Sequence, residues 1–103
     1  MSIPWKDLER RVAKALGGRR NPLSGRSSGH TSGDVIHHLF YVEAKYRQRW
    51  EVLSLFEGVR EKAAGEGKVP ILVLKAGRSP MLLVVMSLDD LVRHTEWTRP
   101  SPP

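Results

Sequence analysis

Gly33-Asp34-Val35-Ile36-His37-His38-Leu39-Phe40-Tyr41-Val42-Glu43-Ala44-Lys45 sets Asp34, Glu43 and Lys45 into stretches that otherwise read as buried strand. Burying an unpaired charge is costly, so such residues pair with one another, bind metal or do chemistry. Residues 34–37 and 39–45 are expected as two strands joined tightly around His37-His38, a turn without the usual Asn-Gly or Gly-X residues. Side chains alternate across a strand, so Tyr41, Glu43 and Lys45 share one face and Phe40, Val42 and Ala44 the other. If Ile36 pairs with Leu39, Asp34 pairs with Tyr41 and lies one diagonal step from Glu43, about 7–8 Å away. Two carboxylates at that separation can chelate one hard cation, and the Ala44 carbonyl can add a neutral oxygen. Such oxygen sets suit Mg²⁺, which keeps several waters and accepts a substrate phosphate.

On the N-terminal side, residues 4–16 read as an amphipathic helix, with Pro4 in its first turn and Gly17-Gly18 as its stop. Trp5, Leu8, Val12, Ala15 and Leu16 share one face at about 100° per residue, with Lys6, Asp7, Arg10, Arg11 and Lys14 on the other. Glu9 breaks the sorting, because its direction falls between Leu16 and Ala13 on the apolar side. A carboxylate there must find a cation or a metal. Residues 19–23 read as a short strand. They lead into Ser24–Gly33, a loop dense in Ser and Gly that also holds Arg26, His30 and Thr31.

On the C-terminal side, residues 50–64 carry a helical stripe of Val52, Phe56, Val59 and Ala63. Gly65-Glu66-Gly67-Lys68 is a turn, and Val69–Leu74 reads as a central strand covered on both faces. Residues 76–80 connect it to a second buried strand, Met81–Met86. Ser87, with Asp90 three residues on, opens a last helix to about Glu96. Residues 98–103 are Pro-rich and expected to be disordered. The order α-β-β-β-α-β-β-α outlines a single α/β sandwich domain over residues 1–97.

The chain has 103 residues and no cysteine, which excludes disulfides and thiolate metal sites. No apolar run approaches the roughly 20 residues that span a bilayer, and the first residues lack a signal-peptide pattern, so a cytoplasmic location without membrane partners is expected. Net charge is +6. Residues 1–30 hold seven Lys/Arg against Asp7 and Glu9, a local +5. A basic third on a small domain favours a polyanionic partner.

Together, Glu9-Arg10 in the first helix, Arg20-Asn21-Pro22-Leu23-Ser24-Gly25 before the loop, Asp34 and Glu43-Ala44-Lys45 resemble the PD-(D/E)xK nuclease superfamily. Within it they look like the archaeal-type Holliday junction resolvases, also found in phages and viruses. The resemblance covers roughly residues 5–92. It implies a restriction-endonuclease-like three-layer sandwich, with helices flanking a central mixed five-stranded sheet. It also implies a Mg²⁺-dependent endodeoxyribonuclease, with Mn²⁺ as a substitute, that resolves four-way DNA junctions by paired nicks. Such an enzyme works as a homodimer, in the host cytoplasm if phage-encoded. By the same resemblance Glu9, Asp34 and Glu43 surround the metal with the Ala44 carbonyl, Lys45 assists catalysis, and a loop serine contributes. That serine is Ser24, with Ser27 and Ser28 as rivals. Lys45 would orient the attacking water or stabilise phosphoryl charge. Arg10, Lys14, Arg19, Arg20, Arg26, His30 and Arg47 are the candidate DNA contacts. Gly33 stands where the family motif has proline, and the Asp34–Glu43 spacing is short.

Other readings compete. Glu43 and Lys45 would also suit an ordinary surface pair, Glu9 a salt bridge to an internal arginine, and the arginine cluster a solvated surface. His30, His37 and His38 lack the spacing of a zinc site. Another PD-(D/E)xK nicking or flap-type repair nuclease, or a non-catalytic nucleic-acid-binding module, is the alternative function.

Overall fold

Helix α1 spans Pro4–Leu16, as the periodicity predicts. Gly17 ends it at φ 74°, in the left-handed region that a side chain rarely adopts. Gly18 N–H then donates to Ala13 O (2.9 Å) and Gly17 N–H to Lys14 O (3.3 Å), the two reversed bonds of a Schellman stop. The stripe that α1 buries most deeply is Glu9, Ala13 and Leu16. The inward turn of Glu9 is therefore real, whereas Trp5, expected on the apolar face, stands exposed.

The computed structural model describes residues 4–22 and 31–95. Its strands are short: β1 is Arg19–Arg20, β2 Val35–Ile36, β3 Leu72–Lys75 and β4 Leu82–Val85. They form two antiparallel pairs, β1 with β2 and β3 with β4. Among the described residues the protein is thus mixed α/β with three helices and two two-stranded sheets, and the five-stranded sheet expected from the sequence is not seen. The chain divides into two compact units, residues 1–46 with 92–103, and residues 47–91.

In the first unit α1 packs on β1 and β2, which pair Arg19 with Ile36 and Arg20 with Val35. The buried apolar residues are Ala13, Leu16, Val35 and Val42, with Val35 fully enclosed. Gly18 makes the approach possible, because a Cβ there would collide with the Ile36 carbonyl. Residues 39–45, expected as a full strand, contribute a single antiparallel bridge from Val42 to Val35. The register therefore differs from the Asp34–Tyr41 pairing expected, and the reversal is wider. His37 supplies the reason. Its Nδ1 accepts the N–H groups of Leu39 (3.0 Å) and Phe40 (3.1 Å), donors that a tight hairpin would have used across the strands. With Nδ1 accepting, Nε2 carries the proton and donates it to Leu16 O at 2.9 Å. One imidazole thus shapes the turn and caps α1.

In the second unit helix α2 runs Glu51–Glu66, ended by Gly67 at φ 66° in the same Schellman pattern. Its inward residues include Val52, Phe56, Val59 and Ala63, the stripe read from the sequence. It packs on β3, where Leu72 and Leu74 are half-buried and Val73 is exposed. Residues 69–74 and 81–86, which read as buried strands, are strands at Leu72–Lys75 and Leu82–Val85 but not buried ones: Ile71, Val73 and Met81 through Val84 are all exposed. An apolar run encodes strand tendency but not what covers it, and here the covering helix is α2, packed on β3. Helix α3, Leu88–Arg93, begins as predicted, with Ser87 Oγ accepting the Asp90 N–H at 3.0 Å. The helix stops at Arg93, short of the expected run to about Glu96, with His94 and Thr95 no longer helical; Glu96 and the 98–103 tail lie outside the described residues.

Candidate functional site

Asp34 reaches the E-x-K segment from both sides of Glu43. Its N–H donates to Val42 O (2.7 Å), and its Oδ2 accepts the Ala44 N–H (2.8 Å). Since Val35 already bridges Val42, two successive residues face one, which is the pattern of a β-bulge. A bulge re-aims the side chain it carries, and here the Asp34 carboxylate is turned onto the backbone beside Glu43. Gly33 is shaped for this. A Cβ at 33 would lie 2.7 Å from the Val42 carbonyl oxygen, and the Gly33 N–H donates to Thr31 Oγ1 at 3.1 Å. Proline would fail on both counts, which accounts for glycine before Asp34. Gly33→Ala is expected to lower stability by about 2 kcal/mol, and Gly33→Pro by more, in urea denaturation.

Asn21 holds the segment that delivers Asp34, and sequence reasoning gave it no role. It is fully buried. Its Nδ2 donates to Gly33 O (2.8 Å) and Thr31 O (3.1 Å), and its N–H to Asp34 O (2.8 Å). The available signal was an asparagine just after the basic strand, followed by Pro22, a place where local side-chain bonds to backbone are common.

Tyr41, Glu43 and Lys45 share a face, as alternation predicts. Tyr41 Oη donates to Glu43 Oε1 at 3.4 Å, and Lys45 Nζ lies 3.8 Å from Glu43 Oε2. Ser32 Oγ meets Tyr41 Oη at 3.0 Å. Glu43 and Lys45 are both more than half exposed, so their attraction adds little to stability.

Glu9 stands apart from this cluster. Its Oε1 accepts a 2.7 Å bond from Arg20 Nε, and the pair is largely buried, with the Glu9 residue 4% exposed. The Arg20 guanidinium also lies 5.9 Å from the Trp5 ring centroid. Glu9 is thus an ion-pair partner of an internal arginine, and Arg20, expected on phosphate, is turned inward. Among the described residues no group of three or more His, Asp or Glu side chains is gathered for one metal ion. The Asp34 carboxylate is held on the Ala44 N–H, one residue on from Glu43, whose own oxygens meet Tyr41 and Lys45.

Of the other expected DNA contacts, Arg10, Lys14 and Arg19 are exposed on α1 and β1, with Arg10 bonded to Asp7 at 3.1 Å. Arg47 lies in the second unit, 4.8 Å from the Trp50 ring centroid. Ser24, Ser27, Ser28, Arg26 and His30 lie outside the described residues. No described helix is long and apolar enough to cross a membrane. Comparison with protein-family models, curated proteins and solved structures returns no match for this chain.

Proposed function

We propose that this protein is a divalent-metal-dependent, structure-selective endodeoxyribonuclease that resolves four-way DNA junctions as a homodimer in the cytoplasm. The observation that carries this reading is the grip of Asp34 on both neighbours of Glu43, with Lys45 beside Glu43. Two carboxylates and the Ala44 carbonyl make a hard-oxygen donor set of the kind Mg²⁺ or Mn²⁺ takes. When bound, the cation supplies charge neutralisation at the scissile phosphate and lowers the pKa of a water. The chain's own residues would do the rest. Asp34 fixes the Ala44 backbone, Glu43 faces the phosphate, and the Lys45 ammonium orients the attacking water or takes up phosphoryl charge. Exposed Arg10, Lys14 and Arg19 would track the backbone, with Arg26, His30 and Arg47 as further contacts and Ser24 as the loop serine. Glu9 and Arg20 would join the site as a pair, bonded through Oε1 and Nε. The restriction-endonuclease-like three-layer sandwich with a mixed five-stranded sheet belongs to the same proposal.

A second reading, a non-catalytic nucleic-acid-binding module, is favoured by the Glu9–Arg20 pair, which leaves two carboxylates at the site in place of three. Labelled four-way junction, Y-fork and duplex, each with Mg²⁺ or EDTA, separate the two. A resolvase cuts the junction only with Mg²⁺, a flap-type repair nuclease cuts the fork, and a binding module cuts nothing. Glu43→Gln should lower the rate by at least about a hundredfold with folding intact. Lys45→Met should do the same if the ammonium takes part, and an unchanged rate removes it from the mechanism. Junction affinity should fall with salt at a slope of about −0.9 per phosphate neutralised.

A further inference from the structure

We propose that Tyr41, held by Ser32, is a positioning residue for Glu43, an inference that rests on the metal-site reading above. Its basis is proton counting. Glu43 as a carboxylate can only accept, so in the 3.4 Å contact the single Tyr41 proton is donated to Oε1. Tyr41 Oη then accepts at its 3.0 Å contact, and the proton there comes from Ser32 Oγ. The chain runs in one direction, Ser32 to Tyr41 to Glu43, and each bond polarises the next.

Lys45 holds the other oxygen, Oε2, at 3.8 Å. Each carboxylate oxygen thus has its own neighbour, Tyr41 at Oε1 and Lys45 at Oε2. Tyr41 is otherwise hard to explain: an aromatic residue 62% exposed gains little from burial. Ser32 is also the serine that the described residues connect to Glu43, in a position different from the Ser24 assignment.

The test uses Tyr41→Phe, Ser32→Ala and their double variant, with Glu43→Gln as the lost-ligand reference. Tyr46→Phe, an exposed tyrosine outside the cluster, is the control. Two readouts are taken: Mn²⁺ affinity by electron paramagnetic resonance without DNA, and the Mg²⁺ dependence of junction cleavage. Tyr41→Phe should weaken Mn²⁺ binding about fivefold and raise half-saturating Mg²⁺ equally, with the rate at saturating Mg²⁺ within about threefold. The double variant should be no weaker than Tyr41→Phe alone, because the two act through one bond chain. Unchanged Mn²⁺ affinity in Tyr41→Phe, where Glu43→Gln loses it, overturns the positioning role and leaves the nuclease reading standing. Mn²⁺ binding that needs Tyr41 and Glu43 in a protein that cuts no DNA supports the positioning role and removes the nuclease. No Mn²⁺ binding by the unaltered protein overturns both.

Discussion

Replacing Glu9 with alanine is expected to destabilise the unit that carries α1 by about 3 kcal/mol, among the largest single-site losses in this chain. The substitution leaves the Arg20 guanidinium, about a fifth exposed, without its 2.7 Å carboxylate partner. It also opens space under the α1 stripe of Glu9, Ala13 and Leu16. Arg20→Met should cost a similar amount for the mirror reason, an uncompensated carboxylate. The pair Glu9→Met with Arg20→Met should recover most of the loss, because apolar side chains of similar volume avoid the desolvation penalty of both ions. Amide hydrogen exchange is the suitable measurement, since it localises the change to α1 and β1 in a chain with two compact units. The double variant also decides the role of Glu9. As a structural anchor, it predicts metal-dependent cleavage restored to within about threefold once folding is restored. Cleavage still absent from a well-folded double variant would return Glu9 to the metal set and Arg20 to phosphate.

The inward turn of Glu9 was legible because helical periodicity is local: Pro4 and Gly17 fix both ends of α1, and the spacing finds its inner side, although the deepest stripe is Glu9, Ala13 and Leu16 and Trp5 stays exposed. The Phe56 stripe of α2 and the Ser87 cap were readable for the same reason. Partners were not readable. Whether Glu9 meets a cation or a metal depends on β1, ten residues further on, and periodicity does not reach that far. Val69–Leu74 and Met81–Met86 declared themselves as strands, yet an apolar run looks the same whether one face is covered or two. The hairpin register failed on one side chain. His37 takes two backbone donors with its Nδ1, and no propensity for strand or turn encodes that choice. Asn21 escaped notice because its acceptors, Thr31 O and Gly33 O, sit ten and twelve residues downstream. Asp34, Glu43 and Lys45 stand out as candidates because charge inside apolar sequence is conspicuous, and the structure adds the Asp34 bond to Ala44 that composition does not encode.

Asp34 offers the cleanest separation of architecture from chemistry. Its Oδ2 holds the Ala44 N–H at 2.8 Å, an interaction that needs an acceptor but not a charge. Asparagine can keep that bond through its side-chain carbonyl, weaker by the charge assistance, so Asp34→Asn should change stability by only about 1 kcal/mol. A divalent cation, by contrast, loses one of two anionic donors. Mn²⁺ affinity and Mg²⁺-dependent cleavage should both fall by at least about a hundredfold. Asp34→Ala removes acceptor and charge together, so it should lose stability as well, by about 2 kcal/mol, and loosen the backbone beside Glu43. The three proteins compared by urea denaturation and metal titration therefore give different patterns under the two readings. A purely structural Asp34 makes asparagine nearly equal to the unaltered protein in every assay, with alanine alone defective. A metal-binding Asp34 makes asparagine stable but inert, because the bulge at 34–35 is held by geometry whereas a cation is held by charge.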